Sequence, residues 1–145
     1  MKKPLLISAC LLGANCKYSG GNNYCSAVEQ LKERYELIAV CPERDGGLPT
    51  PRTPSERIGN RVVSRSGEDV TAQFVRGAEI ALDAALKNGC THALLKERSP
   101  SCGCGEIYDG SFSGTVVSGD GITAQLLKQH NITILGESRI EDLLR

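Results

Sequence analysis

The chain has 145 residues, with 17 Lys and Arg set against 17 Asp and Glu. That length fits one domain over residues 1–145, able to bury about 70% of the surface of its unfolded chain. Balanced charge leaves no global field to draw the chain to nucleic acid or to an anionic membrane, so the expected partner is a small, weakly charged molecule. Seven cysteines, an odd number, and an N-terminal apolar run too short for a secretory signal place the chain in the reducing cytoplasm. There, thiols bind metal or do chemistry instead of forming disulfides. No stretch is long and apolar enough to span a membrane.

In chain order, residues 5–9 read as a buried first strand that ends in a small-residue loop with Gly13, Gly20 and Gly21. Ser26 and Glu29 have capping-box spacing and open a short helix that carries Val28 and Leu31 and ends near Arg34. Residues 36–40 form the second strand, which runs directly into Cys41. The segment 42–59 is a loop in which Pro49, Pro51 and Pro54 forbid a helix or central strand and impose a stiff, extended path. A loop of that length in a compact domain is expected to be functional.

Residues 61–64 are a minor strand. Asp69 caps a long helix whose Phe74, Ala78, Ala81, Leu82 and Ala85 recur at helical spacing until Gly89 stops it. Residues 91–96 are the third core strand, with Cys102 one short turn beyond. Tyr108-Asp109-Gly110-Ser111 is the turn of an accessory hairpin, expected to pair with the minor strand. Asp120 opens a helix through Leu126 and Leu127 to about His130, residues 132–135 give the last strand, and Ser138 with Glu141 caps a final short helix.

Strands that alternate with helices imply an α/β, Rossmann-like three-layer fold: a mostly parallel sheet, right-handed crossovers and a small accessory β-hairpin. All strand C-termini of such a sheet share one edge, where open α/β sheets bind ligands. Cys10, Cys41 and Cys102 each follow a core strand and so meet there.

Several chemistries fit three such thiols. Structural zinc draws on closely spaced pairs such as Cys-x-x-Cys, which this chain lacks, and a thioredoxin-like redox pair fails on the same spacing. An iron–sulfur cubane accepts thiolates from distant loops, and three of them leave one iron open as a Lewis acid. Cys16 and Cys104 are the rival ligands, ranked behind the three; Cys25 and Cys90 read as small buried hydrophobes. Glu43, two residues past Cys41, is placed to act as a general base or to cap a turn. Ser99 and Ser101 flank Pro100 beside Cys102 and either form a turn or contact substrate and relay a proton. Arg52 binds an anionic group or pairs with Glu43, Asp45 or Glu56, and Lys96 closes its strand at the same edge. His92 lies in a strand and His130 at a helix end, so neither is the catalytic choice. A phosphate-binding module is disfavoured because residues 13–21 contain no Gly-x-Gly-x-x-Gly or Gly-Lys-Ser/Thr. A non-catalytic cluster-binding carrier or sensor stays open as the alternative.

At Ser8-Ala9-Cys10-Leu11-Leu12-Gly13, Cys41-Pro42-Glu43 with Gly46-Gly47-Leu48-Pro49-Thr50-Pro51-Arg52, and Leu95-Lys96 with Ser99-Pro100-Ser101-Cys102-Gly103, the chain resembles the domain-of-unknown-function family 523. The characterised members of that family are thiouracil desulfidases. The resemblance runs nearly end to end, through Ile107-Tyr108-Asp109-Gly110 and Gly119-Asp120-Gly121. It implies a 4Fe-4S cluster held by Cys10, Cys41 and Cys102, and a thiolated nucleobase as substrate. The open iron takes the sulfur of 2-thiouracil, water attacks the carbon, and sulfur stays briefly on the cluster before uracil and hydrogen sulfide leave without net redox change. It also associates Glu43 and one of Ser99 and Ser101 with water activation and substrate contact. Many relatives carry Arg-Tyr-Asp-Gly where this chain has Lys17-Tyr18-Ser19-Gly20, so any role of that carboxylate is lost or moved here. Not all of them have a cysteine at the position of Cys16.

Overall fold

The computed structural model describes residues 2–145. Its elements are β1 (Lys3–Ser8), α1 (Val28–Arg34), β2 (Tyr35–Val40), the one-turn α2 (Pro42–Asp45), β3 (Ser55–Ile58), β4 (Arg61–Ser64), α3 (Thr71–Lys87), β5 (His92–Leu95), β6 (Glu106–Tyr108), β7 (Val116–Ser118), α4 (Ile122–Gln129) and β8 (Thr133–Gly136). Two 3-10 segments, Ala9–Leu12 and Glu137–Leu143, follow β1 and β8. The central sheet has the order β2-β1-β5-β8 with every neighbouring pair parallel.

Strand residues alternate between two cores, which is why these strands read as continuous apolar runs. Leu6, Ala93 and Leu95 pack with Ala81 and Ala85 of α3 and Ala124 and Leu127 of α4. Leu5, Ile7 and Leu94 pack on the other face with Val28 and Leu31 of α1 and with Ile140 and Leu143 of the last 3-10 segment. The expected three layers are therefore present. As its periodicity requires, α3 buries Phe74, Ala78, Ala81 and Ala85. Asp69 Oδ1 accepts from the Thr71 backbone N–H at 2.9 Å and from its hydroxyl at 2.6 Å.

The structure corrects four local expectations. Ser26 and Glu29 form no capping box: the N-cap is Ala27, without a side-chain bond. The Glu29 carboxylate instead takes the Tyr24 hydroxyl at 2.7 Å and the Lys32 ammonium at 3.2 Å, better partners than a backbone amide reached across the turn. Ser138 likewise does not cap toward Glu141 but donates to Glu97, and the segment is 3-10. Asp120 precedes α4 without capping it, because its carboxylate takes Gly105 N–H at 2.8 Å and Lys128 Nζ at 3.0 Å. Finally, the hairpin does not pair with the minor strand. The polar β3, hidden at the end of the proline-rich loop, pairs antiparallel with β4, while β6 pairs with β7. The two hairpins meet through a side chain: Glu56 Oε1 accepts from Gly110 N–H at 2.9 Å and Phe112 N–H at 3.1 Å.

This topology fixes where a site can form. The chain leaves β1 for β2 on one side and later returns to β5 on the other, so the ends of β1 and β5 flank the crevice at which such sheets bind ligands. Ser8 Oγ, at the end of β1, accepts from Lys96 N–H at 2.9 Å and closes the strand ends together there. Two helices brace the loops beyond. A Cβ at Gly77 of α3 would lie 1.8 Å from the Pro42 carbonyl oxygen, so only glycine allows α3 to lie against the Cys41–Pro42 turn. A Cβ at Gly121 would lie 2.4 Å from the Ser101 carbonyl. Just beyond Gly121, the first turn of α4 donates Thr123 N–H to Ser101 O at 2.9 Å and Ile122 N–H to Pro100 O at 2.9 Å.

Candidate active site

The loops after β1, β2 and β5 line a cavity of about 510 Å³ that contains Cys10, Cys41 and Cys102, as the strand-end argument expects. Cys16 joins them, buried and packed with Ala9, Cys10 and Cys41. All seven cysteines are free thiols. Cys41 Sγ lies 3.7 Å from the Cys16 carbonyl oxygen, its backbone N–H donates to Asp45 Oδ2 at 3.0 Å, and Ser101 Oγ lies 3.6 Å from Cys102 Sγ.

Burial is the main reason Cys10, Cys16 and Cys102 hold their protons. It pushes Cys102 up to about 12, opposed by hydrogen bonds from Ser8 and Ser101. Cys16 is likewise pushed up to about 12, by burial and then by the neighbouring Cys41. Cys10 is also raised by burial, against a hydrogen bond from Asn23. Three soft sulfur donors, Cys10, Cys41 and Cys102, that line one cavity suit an iron–sulfur group. Among the described residues, no three or more His, Cys, Asp and Glu side chains converge for a single metal ion.

Opposite the thiols stands a hydrogen-bonded carboxylate. Glu43, on α2, is split between two sets of partners. Oε1 takes the Arg52 guanidinium, with Nε and Nη2 each at 3.2 Å. Oε2 takes Ser101 Oγ at 3.1 Å and lies 3.5 Å from Ser99 Oγ. Ser99 Oγ accepts from the N–H groups of Ser101 and Cys102, both at 3.1 Å, and lies 2.9 Å from Ser101 Oγ, a contact in which either hydroxyl can donate. The two hydroxyls and the carboxylate form one connected network, Ser99, Ser101 and Glu43. Ser99 thus holds the Cys102 loop, and Ser101 joins the carboxylate to the thiol side of the cavity. Of the three acids considered for Arg52, the structure selects Glu43. The same guanidinium also donates to Cys16 O at 2.9 Å, Pro49 O at 3.1 Å and Thr50 Oγ1 at 3.0 Å, so the proline-rich loop delivers the cation that orients the carboxylate.

The remaining candidates divide clearly. Lys96 lines the cavity and its Nζ pairs with Glu137 Oε2 at 2.8 Å. Cys90 is buried in the α3/α4 core, and Cys104 packs at its edge near Lys128, outside the cavity. Cys25 is partly buried against α1's core, and the exposed His92 and His130 take no part. Sequence reasoning missed the placement of Cys16 against Cys41, and missed Glu56, which lines the cavity from β3. Neither carries a spacing signal: a six-residue gap from Cys10 and a Glu in a polar strand fit no motif.

The chain is similar over 99% of its length to the solved structure of the 4Fe-4S-dependent thiouracil desulfidase TudS, covering 96% of that chain with 46% identity and a TM-score of 0.93. It is 39% identical to the uncharacterized protein YbbK of Bacillus subtilis (strain 168), over 97% of this chain and 99% of that protein. Residues 5–139 match the family described as 2-thiouracil desulfurase. With three motif cysteines gathered at the sheet edge and this match spanning nearly the whole sequence, the chain belongs to the 2-thiouracil desulfurase family.

Proposed function

We propose that the chain is a 4Fe-4S-dependent hydrolase that converts 2-thiouracil, or a close thiolated pyrimidine, into uracil and hydrogen sulfide. In this reading Cys10, Cys41 and Cys102 hold the cluster, Glu43 is the general base, and Ser101 and Ser99 complete the catalytic set. The observation that carries it is the connection of base to thiol side through one hydroxyl: Ser101 Oγ is 3.1 Å from Glu43 Oε2 and 3.6 Å from Cys102 Sγ. The family and the TudS likeness support the same activity. Seven free thiols accord with a cytoplasmic setting.

When bound, the cluster supplies a Lewis-acidic iron with a vacant position suited to a soft sulfur ligand. The chain's own residues do the rest. Arg52 fixes Oε1 of Glu43 and so turns Oε2 toward the cavity, where it takes a proton from water as the water oxygen attacks C2 of the base. A C–O bond forms and the C–S bond breaks as the proton passes from Glu43 through Ser101 to the departing sulfur; the freed carboxylate then takes the hydroxyl proton left on C2 and passes it to the same sulfur, giving uracil and hydrogen sulfide. Uracil and hydrogen sulfide account for every atom of thiouracil and water, and no electron donor is needed. The test is anaerobic reconstitution followed by incubation with 2-thiouracil without reductant. Equal amounts of uracil and sulfide are expected; cluster-loaded protein that releases neither is a carrier or sensor and refutes the enzyme reading.

A further inference from the structure

Glu56 stands out once the catalytic set is assigned. It is 9% exposed on β3 and lines the same cavity as the thiols. Its Oε1 is fully used as a clasp on the β6–β7 turn, accepting from Gly110 N–H and Phe112 N–H. Its Oε2 has no hydrogen-bond partner among the described residues, forms no ion pair, and yet is not among their sealed, unsatisfied polar atoms; that last role falls to Thr123 Oγ1 alone. Glu56 is thus a nearly buried side chain on the cavity wall, with one carboxylate oxygen that has no protein partner among the described residues and is not sealed from solvent. Such an oxygen is free to take a ligand's donor in place of water, and a carboxylate can only accept. Tyr108 and Phe112 line the cavity beside it and offer apolar faces to a flat ring.

Resting on the proposed function, we propose that Glu56 is a specificity-determining residue whose Oε2 accepts one of the two ring N–H groups that flank the thiocarbonyl carbon of the substrate. The contact selects the lactam form of a thiolated pyrimidine and orients its C=S edge toward the cysteine loops. A ring that presents a lone pair at that nitrogen meets acceptor against acceptor and is rejected. The clasp on Gly110 and Phe112 keeps the carboxylate from rotating away, so one side chain both shapes the wall and reads the ring.

The test compares wild-type protein and Glu56→Gln, both reconstituted anaerobically, on 2-thiouracil and on its 1-methyl and 3-methyl derivatives. The glutamine carbonyl can keep the clasp while its amide turns the open position into a donor. On 2-thiouracil, Glu56→Gln is expected to lower kcat/KM by about tenfold to a hundredfold, chiefly through KM, as for loss of a hydrogen bond to a charged group. That penalty should vanish on one methyl derivative and persist on the other, the coupling a substrate–mutant cycle isolates. Equal penalties on all three substrates overturn the assignment. So does wild-type protein that turns over both methyl derivatives as well as 2-thiouracil, a comparison that needs no variant to fold. Wild-type protein inactive on 2-thiouracil overturns the proposed function, and this inference with it.

Discussion

The substitution Gly77→Ala separates local helix preference from the demands of the site. In an ordinary helix interior, glycine to alanine stabilises by about 1 kcal/mol. Here the new Cβ would lie 1.8 Å from Pro42 O, 2.6 Å from Pro42 C and 3.0 Å from Pro42 Cα, all backbone atoms that no rotamer change can clear. The α3 and α2 backbones must part by roughly 1 Å, and overpacking of that kind costs about 1–3 kcal/mol, enough to cancel or reverse the propensity gain. The displaced segment carries Cys41 and Glu43, and a shift near 1 Å in reacting groups costs about a hundredfold in rate. Urea denaturation of cluster-free protein, with iron content and turnover after reconstitution, reads all three effects. The expected variant is no more stable than wild type, retains less iron and turns over about a hundredfold more slowly. A Gly77→Ala protein stabilised by about 1 kcal/mol with undiminished activity would refute the claim that α3 braces the Cys41 turn.

Three further outcomes follow from the site. Serine at Cys10, Cys41 or Cys102 should abolish iron binding one position at a time, whereas serine at Cys90 or Cys104, outside the cavity, should leave iron content unchanged; full iron in any of the first three removes that ligand. Glu43→Gln should keep its cluster and lose about 10²–10⁴ in kcat, the usual contribution of a general base, and unchanged kcat removes Glu43 from the chemistry. In the same assays Ser101→Ala should lower kcat, while Ser99→Ala, which frees the Ser101 and Cys102 N–H groups, should lower iron retention; the reverse pattern contradicts the division of roles. The fourth concerns pH. In cluster-free protein the native Cys102 thiol is pushed from 9.0 up to about 12, so above pH 9 the unfolded chain gives up a proton that the native state keeps. Stability present below pH 9 is then lost on raising the pH, by up to about 1.4 kcal/mol per unit. Urea midpoints between about pH 8.5 and pH 10.5 should fall more steeply for wild type than for Cys102→Ala, and parallel slopes would contradict the assignment.

What the sequence disclosed follows from how each feature is encoded. Apolar-rich runs at residues 5–9, 36–40 and 91–96 mark strands of a parallel sheet, most clearly in β1, whose Leu5, Leu6 and Ile7 are covered on both faces, and a parallel sheet forces their C-termini to one edge; Cys10, Cys41 and Cys102 could therefore be brought together before any coordinates. The stiff proline segment was legible as functional, but not that it carries Arg52 to Glu43, since which of several acids an arginine meets is a tertiary fact. Ser26, Asp120 and Ser138 have the residue types of helix caps, and each lost that role, or its acidic partner did, to a closer tertiary contact. β3 escaped notice because Ser-Glu-Arg lacks an apolar alternation: the strand is stabilised by β4 and by Glu56 reaching the hairpin turn. Cys16 lies against Cys41 only because the loop after β1 folds back, a path that small residues permit without announcing it.

The central claim is that three strand-end thiolates hold a cluster with one open iron. Iron and acid-labile sulfide counted per chain after anaerobic purification test it most directly. About four of each per chain are expected, the composition of a cubane. A single metal ion without sulfide, or iron in the absence of sulfide, would contradict it.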